Sequence, residues 1–162
     1  MFDYSEAMYH VGYRVTNIEE SMADLGPSLG LTWTQVVDRE DQRIWTPERG
    51  PERVPLRFAY STKGPQYVEL LQGFPGSIWF AGAEPGLHHV GVWADVRELT
   101  DSLLRQSWVL EASQLAPEDG YGSFTYVRSP SGFLLEPVDR ASRPRIERWL
   151  AGEPLTPAGP KG

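Results

Sequence analysis

The sequence predicts an α+β protein made of two βαβββ modules. The segment His-Val-Gly at His10 recurs at His89, and each copy precedes a stretch that can form a helix. Further along, residues 56–64 resemble residues 124–132, and an apolar strand follows each segment. Because the similarities occur in the same order, an internal duplication is expected. The 14 prolines and 16 glycines indicate many turns, so strands should outnumber helices.

The first half is predicted to contain one strand, one helix and three further strands. Asn17 is a suitable N-cap for a helix that ends near Gly30, and Pro27 lies where it can stop or kink that helix early. The strands are expected near residues 8–15, 32–37, 54–61 and 66–71.

The second half is predicted to repeat this order. Asp95 is the N-cap candidate of a helix that extends to about Gln106, with its leucines on one face. Strands are expected near residues 87–94, 108–114, 123–128 and 132–138. The first half is longer by about a dozen residues, which loops tolerate, and we expect an inserted loop within residues 38–55.

These patterns divide the chain into five segments. Pro144 suits the first turn of a short C-terminal helix, and the final segment is rich in proline and glycine. The predicted segments are a first module (1–73), a connector (74–86), a second module (87–140), a C-terminal helix (141–151) and a mobile tail (152–162).

Composition excludes several classes of partner and site. The formal charge is −7 and no cluster of basic residues occurs, so a nucleic acid is not an expected partner. No apolar run approaches the length that crosses a bilayer, and the N-terminus lacks signal-peptide features, so we expect no membrane contact and a cytoplasmic location. Without cysteine, a metal ion must be bound by His, Asp or Glu.

Two histidines occupy equivalent strand positions of the repeat. Because side chains alternate along a strand, His10 and Gly12 share one face, as do His89 and Gly91. The glycine leaves open space beside the imidazole, as a ligand site requires. His88 is out of phase, so we expect it on the opposite face, as a packing residue or hydrogen-bond partner rather than a ligand.

Each module also has one glutamate inside an apolar strand, at Glu69 and Glu136. An unpaired buried charge is costly, and a cation is the simplest compensation. Together with His10 and His89, these residues are the predicted ligands of one divalent metal ion. Two imidazoles and two carboxylates suit Mn, Fe, Co, Ni or Zn better than Ca. A six-coordinate ion would leave two positions for neighbouring oxygens of a small-molecule substrate, and a glutamate would act as base.

Four segments of the sequence resemble the vicinal oxygen chelate superfamily. They are residues 10–12, 68–71, 86–91 and 129–136, in the order and spacing typical of that family. The superfamily includes glyoxalase I, methylmalonyl-CoA epimerase, extradiol dioxygenases and bleomycin-resistance proteins. The resemblance implies a cupped mixed β-sheet around a metal site, with one ligand on the first and one on the last strand of each module.

The resemblance also implies an activity. A fourth ligand at Glu69 argues against the dioxygenases, and the drug-binding members usually lack metal ligands. A metal-dependent isomerase or lyase is therefore expected, with an epimerase of an acyl-CoA or similar acid as the leading hypothesis, Glu136 as the first choice of base and Glu69 as the second. The alternatives are a metal-free drug-binding protein and, third, a dioxygenase. The family also implies a homodimer, with the modules pairing within one chain or between two.

Several large side chains are candidates to line the cup, although core packing is the simpler role for most of them. They are Trp33, Trp45, Arg57, Tyr60, Trp93 and Tyr126. The arginines of the expected inserted loop, Arg39, Arg43, Arg49 and Arg53, can instead contact an anionic group, but an ordinary solvated loop is the simpler interpretation.

Overall fold

The structure, a computed structural model that describes residues 1–158, contains two successive sets of four strands. The first set comprises α1 (Tyr4–Ala7), β1 (Met8–Arg14), α2 (Ile18–Leu29), β2 (Val37–Thr46), β3 (Gly50–Tyr60) and β4 (Tyr67–Gly73). The second comprises β5 (Gly86–Ala94), α3 (Val96–Leu104), β6 (Val109–Ser113), β7 (Thr125–Arg128), β8 (Leu134–Asp139) and α4 (Arg143–Leu150). The predicted α+β class is confirmed. No helix among the described residues is long and apolar enough to cross a membrane.

The eight strands form one strongly curved mixed sheet in the order β1-β4-β3-β2-β6-β7-β8-β5. In each half the first strand runs parallel to the last one, and the other pairs are antiparallel. An extensive antiparallel pairing of β1 with β5 joins the halves. On the opposite side a single bridge, Trp45 with Ser113, closes the sheet into a barrel. Both modules therefore pair within one chain.

Side-chain caps begin both long helices where the sequence predicts them. Asn17 accepts a hydrogen bond from the Glu20 backbone N–H (3.0 Å), and Asp95 caps α3 in the same way. Gly30 ends α2 in the left-handed conformation, with φ of 66°. Pro27 lies in the last turn and does not shorten the helix.

The prediction of an inserted loop at residues 38–55 is wrong, because most of these residues form the long hairpin of β2 and β3. Ile44 and Leu56 point into the barrel, whereas charged side chains occupy the outer face. Ion pairs such as Arg53 with Asp41 (3.0 Å) join the two strands there. A hairpin with one fully solvated face lacks the apolar runs by which strands are recognised.

The prediction of a strand at residues 32–37 is also wrong. Only Trp33 bridges, to Ser61, and β2 begins at Val37. The Trp33 ring packs beneath α2 and its indole N–H donates to the Met22 carbonyl (3.2 Å). Apolar residues here cover the helix–sheet interface instead of extending a strand.

The C-terminal residues pack against the open end of the barrel. Trp149 and Leu150 of α4 are buried against an aromatic cluster that includes Tyr9 and Tyr60. Residues 153–158 have no regular secondary structure, and Leu155 packs against the same cluster. The predicted mobile tail continues to residue 162, so its last four residues lie outside the described residues.

Candidate metal centre

The two histidines face each other across the β1–β5 pairing. His10 lies opposite Gly91, and His89 lies opposite Gly12. Val11 pairs with Val90 at the centre of this register, so exchanging the two strands leaves the pairing unchanged. Each module therefore presents its histidine to the glycine of the other module.

The glycines at these positions are required by close packing. A Cβ atom added to Gly12 would overlap the His89 imidazole, and one added to Gly91 would overlap the His10 imidazole. The space that the sequence predicts beside each histidine is thus filled by the imidazole of the opposite strand. The His-Val-Gly repeat is a packing motif between modules as well as a source of ligands.

The two glutamates complete the cluster from the last strand of each module. Glu69 on β4 pairs with Gly12, and Glu136 on β8 pairs with Gly91. Both carboxylates consequently lie beside the glycines that the imidazoles cover. The structure therefore brings all four predicted site residues together.

The donor atoms of the four residues converge on one point. The His10 Nε2 and His89 Nε2 atoms are 2.8 Å apart. Each Nε2 lies 3.2 Å from Glu69 Oε2, and Glu136 Oε2 lies 3.0 Å from His10 and 3.1 Å from His89. One donor atom from each residue lies within 4.8 Å of all the others.

These separations fit a transition-metal ion. Ligands at about 2.1 Å from such an ion are about 3.0 Å apart when they occupy adjacent octahedral positions. The side chains are also buried, at 0% and 1% exposure for His10 and His89 and 8% and 7% for Glu69 and Glu136. Among residues 1–158 no donor makes a well-aligned hydrogen bond to Glu69 Oε2, although both Nε2 atoms lie 3.2 Å away. Two buried carboxylates around two imidazoles, one with an unsatisfied oxygen, match a site for a divalent cation.

The electrostatic environment keeps both carboxylates ionised. Burial alone would raise the pKa of Glu136, but the charge on His89 and hydrogen bonds from both histidines hold it well below its usual range. The pKa of Glu69 is also lowered, again against burial, mainly by His10. Burial would lower the pKa of His89, but the carboxylates raise it to about 9. The carboxylates and the imidazoles therefore favour each other's charged forms.

The second imidazole nitrogens differ between the modules. His89 Nδ1 lies 3.0 Å from His88 Nδ1, whereas His10 Nδ1 has no hydrogen-bond partner among the described residues. Burial and the charge on His89 lower the pKa of His88 to about 3, so His88 is neutral and can accept this hydrogen bond. The expectation that His88 is a hydrogen-bond partner, not a ligand, agrees with this contact.

The predicted orientation of His88 is wrong. Its ring lies 5.5 Å from that of Tyr126, inside the barrel and not on the opposite face. A bulge in β5 explains the difference, because His89 pairs with Gly12 while Tyr13 pairs with Leu87, which leaves His88 as the extra residue.

A tyrosine stands beside each histidine. The Tyr60 ring is 5.4 Å from the His10 ring, and the Tyr126 ring is 5.1 Å from the His89 ring. Burial and the nearby carboxylates raise the pKa of both phenols far above 10.0, so the hydroxyls stay protonated. The two tyrosines are thus structural counterparts, although the match of residues 56–64 to 124–132 displaces them by two positions.

A cavity of about 150 Å³ opens onto the cluster, and both glutamates line it. Of the predicted lining residues only Tyr60 and Tyr126 contribute, and Trp33, Trp45, Arg57 and Trp93 do not. The sequence missed Phe58, Trp79 and Phe124, together with Arg145 and Trp149 of α4. The apolar face of α4 indicated that it packs on the domain, but no sequence feature indicates that it covers the cup.

Several solved structures have a similar fold. A Bacillus halodurans protein described as hypothetical shares 18% sequence identity, with a TM-score of 0.58 over 82% of this chain and 92% of its own. A variant of the Streptomyces coelicolor methylmalonyl-CoA epimerase, bound to 2-nitronate-propionyl-CoA, also shares 18% identity, with a TM-score of 0.58 over 83% and 97% of the two chains. The epimerase of Mycobacterium tuberculosis shares 16%, with a TM-score of 0.56 over 86% and 91%. At such identities these similarities establish the fold alone.

The paired modules and the buried cluster of two histidines and two glutamates define a class of cup-shaped α+β proteins with a candidate metal site at the module interface. The particular family follows from the sequence. The model of the Glyoxalase/Bleomycin resistance protein/Dioxygenase superfamily matches residues 9–126, and the chain belongs to that superfamily. No functionally curated protein matches the sequence significantly. The resemblance inferred from short motifs is therefore confirmed.

Proposed function

We propose that the protein is a divalent-metal-dependent isomerase or lyase that moves a proton on the carbon next to a carbonyl group. The observation that carries the proposal is the convergence of His10, Glu69, His89 and Glu136 at metal-ligand spacing on the wall of a cavity. An epimerase of an acyl-CoA or similar acid is the leading form of the proposal. The epimerases among the structures of similar fold support it.

The four clustered residues would hold the cation. Bound there, a divalent ion supplies a Lewis acid that stabilises negative charge on a carbonyl oxygen. Glu136 accepts the proton from the neighbouring carbon, and Glu69 is the second candidate. Both carboxylates line the cavity and are ionised, as a base must be. Tyr60 and Tyr126 remain protonated and form part of the wall around the reacting atoms.

Two alternative functions receive less support. The drug-binding members of the family usually lack metal ligands, whereas ligand atoms of four residues converge here. An extradiol dioxygenase uses three protein ligands, whereas Glu69 Oε2 lies 3.2 Å from both histidine Nε2 atoms here, nearly as close as Glu136 Oε2.

Metal binding is tested first. Protein purified without chelator should contain close to one equivalent of ion, and adding Mn, Co, Ni or Zn to stripped protein should raise the melting temperature by about 5 °C or more at 100-fold excess over Kd. Less than about a tenth of an equivalent, together with no thermal shift, would refute the metal centre.

The base is tested by isotope exchange. Methylmalonyl-CoA and the hemithioacetal of methylglyoxal and glutathione are incubated with the metal-loaded protein in deuterium oxide, and exchange at the α-carbon is followed by NMR. Glu136→Gln should lower exchange at least about 100-fold while retaining metal, and Glu69→Gln, which changes the other proposed ligand, should lower it less. Undiminished exchange in a metal-loaded Glu136→Gln protein would remove Glu136 as the base.

We also propose that the protein forms a homodimer, as the family resemblance implies. Light scattering should give twice the chain mass of 18.2 kDa. The four proposed ligands come from one chain, so a monomeric mass would leave the metal proposal intact.

A further inference from the structure

Two arginines from different parts of the chain meet at the cup. Arg39 lies on β2 and Arg145 on α4, and both line the cavity that contains the carboxylates of Glu69 and Glu136. The Arg39 guanidinium lies 5.7 Å from the centre of the Phe58 ring, which forms part of the same wall. The cavity therefore has a negative cluster at one place and two guanidinium groups at another.

Neither arginine has an acidic partner. Within residues 1–158 no carboxylate oxygen lies within 4 Å of either guanidinium, whereas Arg57 pairs with both Glu19 and Asp38. Arg145 Nη1 donates a hydrogen bond to the Thr156 carbonyl (2.9 Å), which orients the group without neutralising it. Arg39 is exposed to solvent and Arg145 is half-buried, and neither positive charge is paired with a carboxylate.

The two cations also repel each other. Burial, and then the charge on Arg39, lower the pKa of Arg145, but a guanidinium stays charged at neutral pH. An anion placed between them would relieve this repulsion and accept several hydrogen bonds from the planar groups.

The cavity size limits what such an anion can belong to. A cavity of 150 Å³ has about the volume that accommodates benzene, so only a few non-hydrogen atoms fit inside it. A ligand whose oxygens reach the cluster therefore brings its next few atoms close to Arg39 and Arg145.

We propose that Arg39 and Arg145 form an anion subsite, and that the substrate is an acid whose carboxylate or phosphate group occupies it. That the substrate's other oxygens bind the metal ion rests on the proposed function above. The subsite itself depends on the two arginines alone, so it can be tested with and without metal.

The first test uses cobalt-loaded protein and two chelating probes. Acetohydroxamate and succinic acid monohydroxamate share the chelating group, but only the second has a carboxylate. Calorimetry should show that the carboxylated probe binds the unmodified protein about 10-fold more tightly. Arg39→Gln and Arg145→Gln should each remove most of this advantage. Arg43→Gln is the matched control, because Arg43 lies on the same strand but does not line the cup.

The second test uses chelator-treated protein without metal. Succinate and inorganic phosphate are titrated while tryptophan fluorescence is followed, since Trp149 lines the cavity. Saturable binding is expected for the unmodified protein and Arg43→Gln and should be lost in Arg145→Gln. The anion that binds more tightly identifies the substrate group as a carboxylate or a phosphate.

The outcomes separate the two proposals. If cobalt does not bind, the proposed function fails and the metal-free titrations alone decide the subsite. If cobalt binds but both hydroxamates bind equally well, the subsite proposal is wrong and the metal centre stands. The same conclusion follows if Arg43→Gln loses as much affinity for the carboxylated probe as Arg145→Gln does. In the metal-free titrations, the absence of binding, or equal binding to every variant, likewise counts against the subsite.

Discussion

The two modules supply the same pair of ligands but support their histidines differently. In the second module His89 Nδ1 contacts His88, whereas in the first His10 Nδ1 has no hydrogen-bond partner within residues 1–158. The residue that precedes His10 is Tyr9, which stacks on Trp93 with ring centres 3.8 Å apart. The position before the histidine thus orients a ligand in one module and joins the modules in the other.

This difference shows that the duplicated halves make equivalent contacts within the four-residue cluster but different contacts around it. The glycine–histidine packing is reciprocal, so both halves should respond alike to changes there. The hydrogen bonds and hairpin lengths around the cluster differ, and changes at those places should affect the halves unequally. Four predictions test this distinction, from the largest expected effect to the smallest.

The largest effect is expected at the reciprocal glycines. Gly12→Ala and Gly91→Ala should each lower metal affinity at least about 100-fold, because the new Cβ displaces the imidazole opposite. Metal titration of both variants measures the effect. Gly76→Ala is the control for lost stability alone, because its φ of 88° strains an alanine while the new Cβ would meet nothing within 4 Å, so metal affinity should not change. A large loss in one glycine variant alone would show that the halves are not equivalent.

A smaller and one-sided effect is expected at the residue before each histidine. His88→Phe removes the hydrogen-bond partner of His89 and should lower metal affinity about 10- to 100-fold. Tyr9→Phe keeps the stacked ring and should change affinity less than about 3-fold. Equal losses in the two variants would contradict the assigned role of His88.

The paired tyrosines should differ in stability. The Tyr126 hydroxyl accepts a hydrogen bond from Trp79 Nε1 (3.0 Å) in the barrel interior, so Tyr126→Phe should lower the free energy of unfolding by about 1 kcal/mol. Tyr60→Phe should lower it less, because within residues 1–158 no hydrogen bond as well aligned as the one from Trp79 reaches the Tyr60 hydroxyl. Chemical denaturation of both variants gives the comparison, and a larger loss for Tyr60→Phe would reverse it.

The smallest effect is expected in the extended hairpin of the first module. Arg53→Gln breaks an exposed ion pair with Asp41 and should change stability by less than about 0.5 kcal/mol and metal affinity not measurably. Denaturation and metal titration check both values. A clear loss of metal affinity would mean that the additional residues of this hairpin help to hold the four metal ligands in place.

The fold class and the cluster were accessible from the sequence because duplication repeats the signal. His10 and His89 are informative as a matched pair, and neither is distinctive alone. The strand expected at residues 54–61 covers most of β3, but β2 and the start of β3 were not recognised, because their solvated face carries charged residues where a buried strand would carry apolar ones. The orientation of His88 depends on a bulge, and a bulge changes the side-chain alternation from which strand faces are inferred.

The cup's wall shows a different limit of sequence reasoning. Arg145 and Trp149 reach the cavity because α4 folds back over the barrel, a contact between segments far apart in sequence. A periodic apolar face predicts that a helix packs on something, and it does not identify the surface that receives it.

The reciprocal register of β1 and β5 has a consequence for ancestry. Exchanging the two strands maps His10 onto His89 and Gly12 onto Gly91 about the central Val11–Val90 pair. A single ancestral module pairing with its own copy would meet the same register about a twofold axis. Such a dimer would contain two histidines and two glutamates from the outset. Gene fusion would then have linked two modules that already formed a complete metal centre, and no half-centre would have had to function alone.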